Sequence, residues 1–138
     1  MKPKDDEEAL EVMKIDQNAE LPDYAIDNDI AFDLRANEDV KIDSFEQKEV
    51  KTGVAIKIPK GYVGLVRDRV GIVTRMAAHV VAGTFNSNYH EEVTVFIINF
   101  SDDEILIEKG MRVAQMVIVP IKKLKIKEVK KLSGNNKK

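Results

Sequence analysis

The sequence predicts an all-β protein, a jelly-roll-like β-sandwich or barrel with at most one short helix. Three observations predict it. Some nine or ten short segments alternate apolar and polar residues with the period of a strand. Turn residues separate them at regular spacing. Only the stretch after Gly71, through Met76 and Ala78, has a helical reading, of one or two turns. The 138 residues suit one domain over 10–132, large enough to bury a core, with flexible ends at 1–9 and 133–138.

The elements follow in order. Leu10–Ile15 alternates and reads as a short strand. Pro22 bars a helical conformation at Leu21, so 18–24 is a loop. In Ile30–Ala36, Ile30, Phe32 and Leu34 share one face and Asp33 projects from the other. Val40–Ile42 gives a third strand. Val50–Ile58 shows the clearest alternation: Val50, Thr52, Val54, Ile56 and Ile58 point one way and Lys51 and Lys57 the other, the pattern of a half-buried antiparallel strand. Pro59-Lys-Gly61 turns the chain into a strand at Gly61–Arg67. Arg69 and Gly71 then lead into the helical stretch, where turn amides and an arginine fork could receive an anion.

Asn86-Ser-Asn88 is turn chemistry between β-forming residues 79–81 and 93–98, which predicts a hairpin with a three-to-five-residue tip. A hairpin that exposes amides and carbonyls beside one aromatic ring, Tyr89, could read a flat base and a sugar. Glu104–Glu108 is a short strand, and Met111–Pro120 is a strand apolar on both faces, with Gln115 its polar exception, bonded internally or facing a site. Ile121–Val129 alternates again and predicts one more strand, at an edge where lysines discourage aggregation.

Composition narrows the function. No apolar run nears 18 residues, so no membrane span is expected, and the N-terminus lacks an apolar leader. There are no cysteines, which excludes disulfides and thiolate metal sites and makes cytoplasmic residence the expectation. With only His79 and His90, a hard cation on carboxylates and phosphates is a better fit than a transition metal. A net charge of −2 argues against nucleic acid as the partner. The acidic first fifty residues and the lysine-rich last seventeen read as solvated ends.

Four ordered motifs are similar to those of the homotrimeric dUTPase family, within the wider fold shared with dCTP deaminases. They are Ala25-Ile-Asp-Asn-Asp-Ile-Ala-Phe-Asp-Leu34, Asp68-Arg-Val-Gly-Ile72, Ala82-Gly-Thr-Phe-Asn-Ser-Asn-Tyr-His-Glu-Glu-Val93 and Gly110-Met-Arg-Val-Ala-Gln-Met-Val-Ile118. The resemblance covers roughly residues 12–132. It implies a homotrimer that hydrolyses dUTP to dUMP and pyrophosphate with Mg²⁺, at sites shared between subunits. By the same resemblance, the 82–93 stretch, Gly83 included, holds uracil through its backbone, and Tyr89 stacks under the deoxyribose. Arg69, Val70, Gly71 and Gln115 occupy phosphate-contacting positions. Asp33 lies near the metal-phosphate region, with Mg²⁺ carried on the substrate phosphates.

The departures from the family are specific. Asn86 stands where the family has the aspartate that deprotonates the attacking water. Val70 replaces a serine, Ile30-Ala31 an Ala-Gly pair, and His90-Glu91 an Arg-Gly pair. The Gly-rich fifth motif, with its Arg and base-stacking Phe, is not found in Ser133-Gly-Asn-Asn-Lys-Lys138. These changes predict a dUTPase-fold trimer with little or no dUTPase activity: a pseudoenzyme, or a structural trimer serving as a self-assembly building block. The alternative is an active dUTP diphosphatase.

Overall fold

The computed structural model describes residues 9–134. Residues 1–8 of the expected flexible segment 1–9, and 135–138 of the expected tail 133–138, lie outside them. Ten strands and one helix follow in order: β1 Glu11–Lys14, β2 Ala31–Arg35, β3 Val40–Ile42, β4 Gln47–Lys57, β5 Tyr62–Arg67, α1 Val70–Met76, β6 Ala78–Val81, β7 Thr84–Phe85, β8 Glu92–Asn99, β9 Ile105–Ile107 and β10 Arg112–Pro120. One sheet has the order β1-β4-β8-β6, a second β2-β10-β5-β7, and β3-β9 forms a small third. All strand pairs are antiparallel. The all-β fold with one short helix is the one the sequence predicts.

The alternation read from the sequence becomes the inner face. Leu34 and Met116 from one sheet meet Val50, Ile56, Val95 and Ile97 from the other in a single core, all 2% exposed or less. Burying each such side chain contributes roughly 1.5–3 kcal/mol. Because side chains alternate along a strand, the residues between these core positions point away from it. Across β2, β10 and β5 the register sets Asp33 opposite Gln115 and Gln115 opposite Arg67. Residues directly opposite share a face. The three therefore form a polar row on the outer face, behind the core row Phe32, Met116 and Val66.

Buried Asn99 closes β8. Its amide nitrogen donates to the Ile42 and Asp103 carbonyls and its oxygen accepts from the Ser101 amide and hydroxyl. That satisfies every polar atom of a side chain in the core.

Three expectations need correction. β4 begins at Gln47, not Val50, because β8 extends alongside it to Ile98. The 82–93 stretch is not a simple hairpin. β6 does pair with β8, but Thr84 and Phe85 cross to the other sheet and pair with β5. Ala82 and Gly83, at φ 65° and 135°, make that switch. Finally, residues 121–129 form no strand. Ile121 is tied to Gly61 by one backbone hydrogen bond of 2.9 Å, and beyond it Leu124, Ile126 and Val129 are exposed. Alternation supplied the strand pattern, but no edge of this chain supplies a partner. No helix among the described residues is long and apolar enough to cross a membrane.

Candidate active site

The polar row opens into a cleft of about 560 Å³, which the loop 68–69 and the start of α1 complete. Asp33 is its centre. The carboxylate is 5% exposed and both oxygens are engaged: Oδ1 lies 3.0 Å from Arg69 Nε, and Oδ2 accepts from Arg112 Nη1 at 2.5 Å. Arg112 also reaches Asp23 Oδ1 at 3.3 Å. Its guanidinium is held above its ordinary pKa chiefly by the hydrogen bond to Asp33, with Asp23 adding to the effect.

The loop is fixed from three sides. Gln115 Nε2 donates to the Asp68 carbonyl at 3.0 Å. Asp68 Oδ1 accepts from the Val80 amide at 2.5 Å, and Oδ2 faces His79 Nδ1 at 3.1 Å. Gln115 is therefore both bonded internally and in the wall of the cleft, so both sequence alternatives hold. Arg69 and Gly71 line the cleft as well. At its mouth stand two exposed apolar side chains, Ile30 (83%) and Val70 (75%).

A second groove, of about 400 Å³, runs between β6, β7 and β8. Gly83 lines it, and its carbonyl accepts from the Val66 amide at 2.8 Å. A Cβ on Gly83 would stand 2.8 Å from the Val66 Cβ, so glycine is required both by φ and by space. Tyr89 donates from its hydroxyl to the Glu92 carbonyl at 2.5 Å and meets Phe85 edge-on, ring centres 5.1 Å apart. Its phenol is pushed above the usual pKa of 10.0 by burial first, then by Glu91, Glu49 and Glu92. Asn86 starts the turn just before. Its carbonyl accepts from the Tyr89 amide at 3.1 Å and the residue is exposed, lining neither the cleft nor the groove.

The structure thus brings Asp33, Arg69, Val70, Gly71 and Gln115 together and sets Gly83 and Tyr89 in a separate groove. The consecutive residues Val66 and Arg67 divide the two, one lining the groove and the other the cleft. Sequence reasoning missed Arg67, Arg112 and Asp23. The alternation of β5 carried a signal for Arg67 alone, since it puts residue 67 on the face of 63 and 65. Among the described residues no group of three His, Cys, Asp or Glu side chains could hold a metal. A carboxylate shared by two guanidinium groups is likewise not presented to a cation. The cleft offers arginine donors to an anion, and the rings of Phe85 and Tyr89 line the groove.

Cleft, groove and sheet order together define a β-sandwich protein of the dUTPase type. Residues 17–138 match the dUTPase family. A deoxyuridine 5'-triphosphate nucleotidohydrolase of Hydrogenobaculum is 41% identical over 131 residues, covering 93% of this chain and 91% of that one. One from Clostridium tetani is 35% identical over 133 residues, covering 95% and 92%. Among solved structures, a variant of the dUTPase of staphylococcal phage 80alpha superposes with a TM-score of 0.86 at 28% identity, over 91% of this chain and 92% of that one. A variant of the dUTPase from phage phi11 of S. aureus, described with a structural Mg(II) ion, gives 0.87 at 25%, over 92% and 100%. The chain belongs to the dUTPase family.

Proposed function

We propose that this chain is a homotrimer that binds dUTP with Mg²⁺ and hydrolyses it to dUMP and pyrophosphate only slowly. Asn86 carries the reading. In-line attack of water on the α-phosphorus is catalysed by positioning and by charge neutralisation, and the water must lose a proton. The family's aspartate takes that proton. The amide at Asn86 can orient water but cannot accept a proton at neutral pH. Substrate binding rests on the residues that keep the family pattern: Arg69, Gly71 and Gln115 for the phosphates, Tyr89 for the deoxyribose and the backbone around Gly83 for uracil.

Mg²⁺ enters on the phosphates, whose charge it neutralises, and Asp33 serves as the anchor of Arg69 and Arg112 in place of a metal ligand. The division of the site into two grooves favours the trimer, because neighbouring protomers could join one protomer's cleft to another's groove. The test is pyrophosphate release from dUTP with Mg²⁺. Asn86→Asp is expected to raise turnover about 10²–10⁴-fold. Wild-type turnover within the ordinary enzyme range, about 1–10³ per second, overturns the reading.

A second reading rests on Ile30 and Val70. Exposed apolar groups at a cleft mouth suit a contact surface, and a building block of a larger assembly would use them. Light scattering distinguishes the two: particles larger than a trimer that dissociate on Ile30→Gly with Val70→Ser support assembly.

A further inference from the structure

Two arginines line the cleft, Arg67 and Arg69, and a third, Arg112, lies against its Asp33; Arg69 and Arg112 are already neutralised. Arg112 shares Asp33 and Asp23, and Arg69 shares Asp33. Arg67 differs. It is exposed, it lines the cleft, and it has no carboxylate partner among the described residues. The nearest acid in sequence, Asp68, is turned to Val80 and His79. The register holds Arg67 opposite Gln115, which is opposite Asp33, so its position in the cleft is set by strand pairing and not by a loop.

An anion entering the cleft therefore meets one cation with its full charge, at the end of a rigid row. Val70 beside it offers no side-chain donor. We propose that Arg67 is a phosphate-binding residue of this cleft, supplying the charge-assisted hydrogen bonds that Val70 cannot make and that Arg69 divides with Asp33. The inference deepens the proposed function and rests on it for the identity of the ligand, a nucleoside triphosphate. The planar five-donor fork suits two phosphate oxygens at once.

The experiment is calorimetric binding of the imido analogue of dUTP with Mg²⁺, and of deoxyuridine, to full-length wild type, Arg67→Ala and Arg67→Lys. Arg67→Ala is expected to weaken the analogue about 10- to 100-fold and leave deoxyuridine unchanged, with Arg67→Lys between. An analogue affinity equal to wild type overturns the proposal. So does an equal loss for deoxyuridine, which would mark a structural role. If wild type binds neither compound, the nucleotide reading fails, and inorganic tripolyphosphate decides on Arg67. Binding to wild type that Arg67→Ala abolishes supports the residue as an anion site; no binding, or binding unaffected by Arg67→Ala, overturns it.

Discussion

The cleft and the 86–91 turn are both parts of the candidate site, yet they are held in opposite ways. In the cleft, Asp33 and Arg112 lie 79 residues apart in sequence and meet through a buried carboxylate and a fixed register. In the turn, exposed residues alternate with half-buried Ser87 and Tyr89 and are held by local hydrogen bonds such as the Tyr89 amide to the Asn86 carbonyl. Asn86, His90 and Glu91 in the turn are exposed, as are Ile30 and Val70 at the cleft mouth. Asp33, Gly83 and Gln115 are packed or bonded. An exposed substitution usually alters stability by less than about 0.5 kcal/mol, whereas a buried ionic or packed position costs several times that. Chemistry can be rewritten at the turn with the fold unaffected, but not in the row beneath it.

Variants sharpen that contrast, beginning with the largest effect. Asn86→Asp should change dUTP turnover about 10²–10⁴-fold while denaturant unfolding stays within about 0.5 kcal/mol of wild type. A large stability change would put the turn in the same class as the cleft. Asp33→Ala should do the reverse: a loss of about 3 kcal/mol, toward the low end for a broken buried pair because both guanidinium groups keep some contact with water. A melting curve like that of wild type would show the clasp to be ornamental. Gly83→Ala should cost about 2 kcal/mol, from the positive φ and the contact with Val66, and should shift the Tyr89 groove with it.

The smallest effect is one of pH. The folded state keeps the Tyr89 phenol protonated beyond its ordinary value. The stability this contributes is complete below pH 10.0, where the unfolded phenol is also protonated, and is lost as pH rises through the higher folded value. Tyr89→Phe should flatten that alkaline limb of a stability–pH curve.

The sheet was legible because burial leaves a period of two in the sequence. Val50, Val54, Ile56 and Ile58 are all buried where alternation put them. Pairing was less legible, since period says which face is apolar and not which strand lies alongside. Thr84 and Phe85 pair with β5 across the molecule, and 121–129 has the pattern without a neighbour. The site divided in the same way. Arg69, Gly71 and Gln115 were found as pieces of motifs. The clasp on Asp33 joins Arg112 of β10 and Arg69 of the loop before α1, and the place of Arg67 beside Gln115 comes from the register of β10 with β5, contacts between elements that no single strand reveals.

Asn86 is exposed and is followed in its turn by Ser87. There the nitrogen of the next peptide can close on the side-chain carbonyl carbon, expel ammonia and form a cyclic imide, which water reopens to aspartate or its β-linked isomer. Asparagine is among the thermolabile residues for this reason. Storage at warm, mildly alkaline pH should thus install a carboxylate at position 86 in a growing fraction of molecules. Hydrolysis of dUTP would climb with sample age, in step with the acidic species seen on isoelectric focusing, and Asn86→Gln would stop the clock.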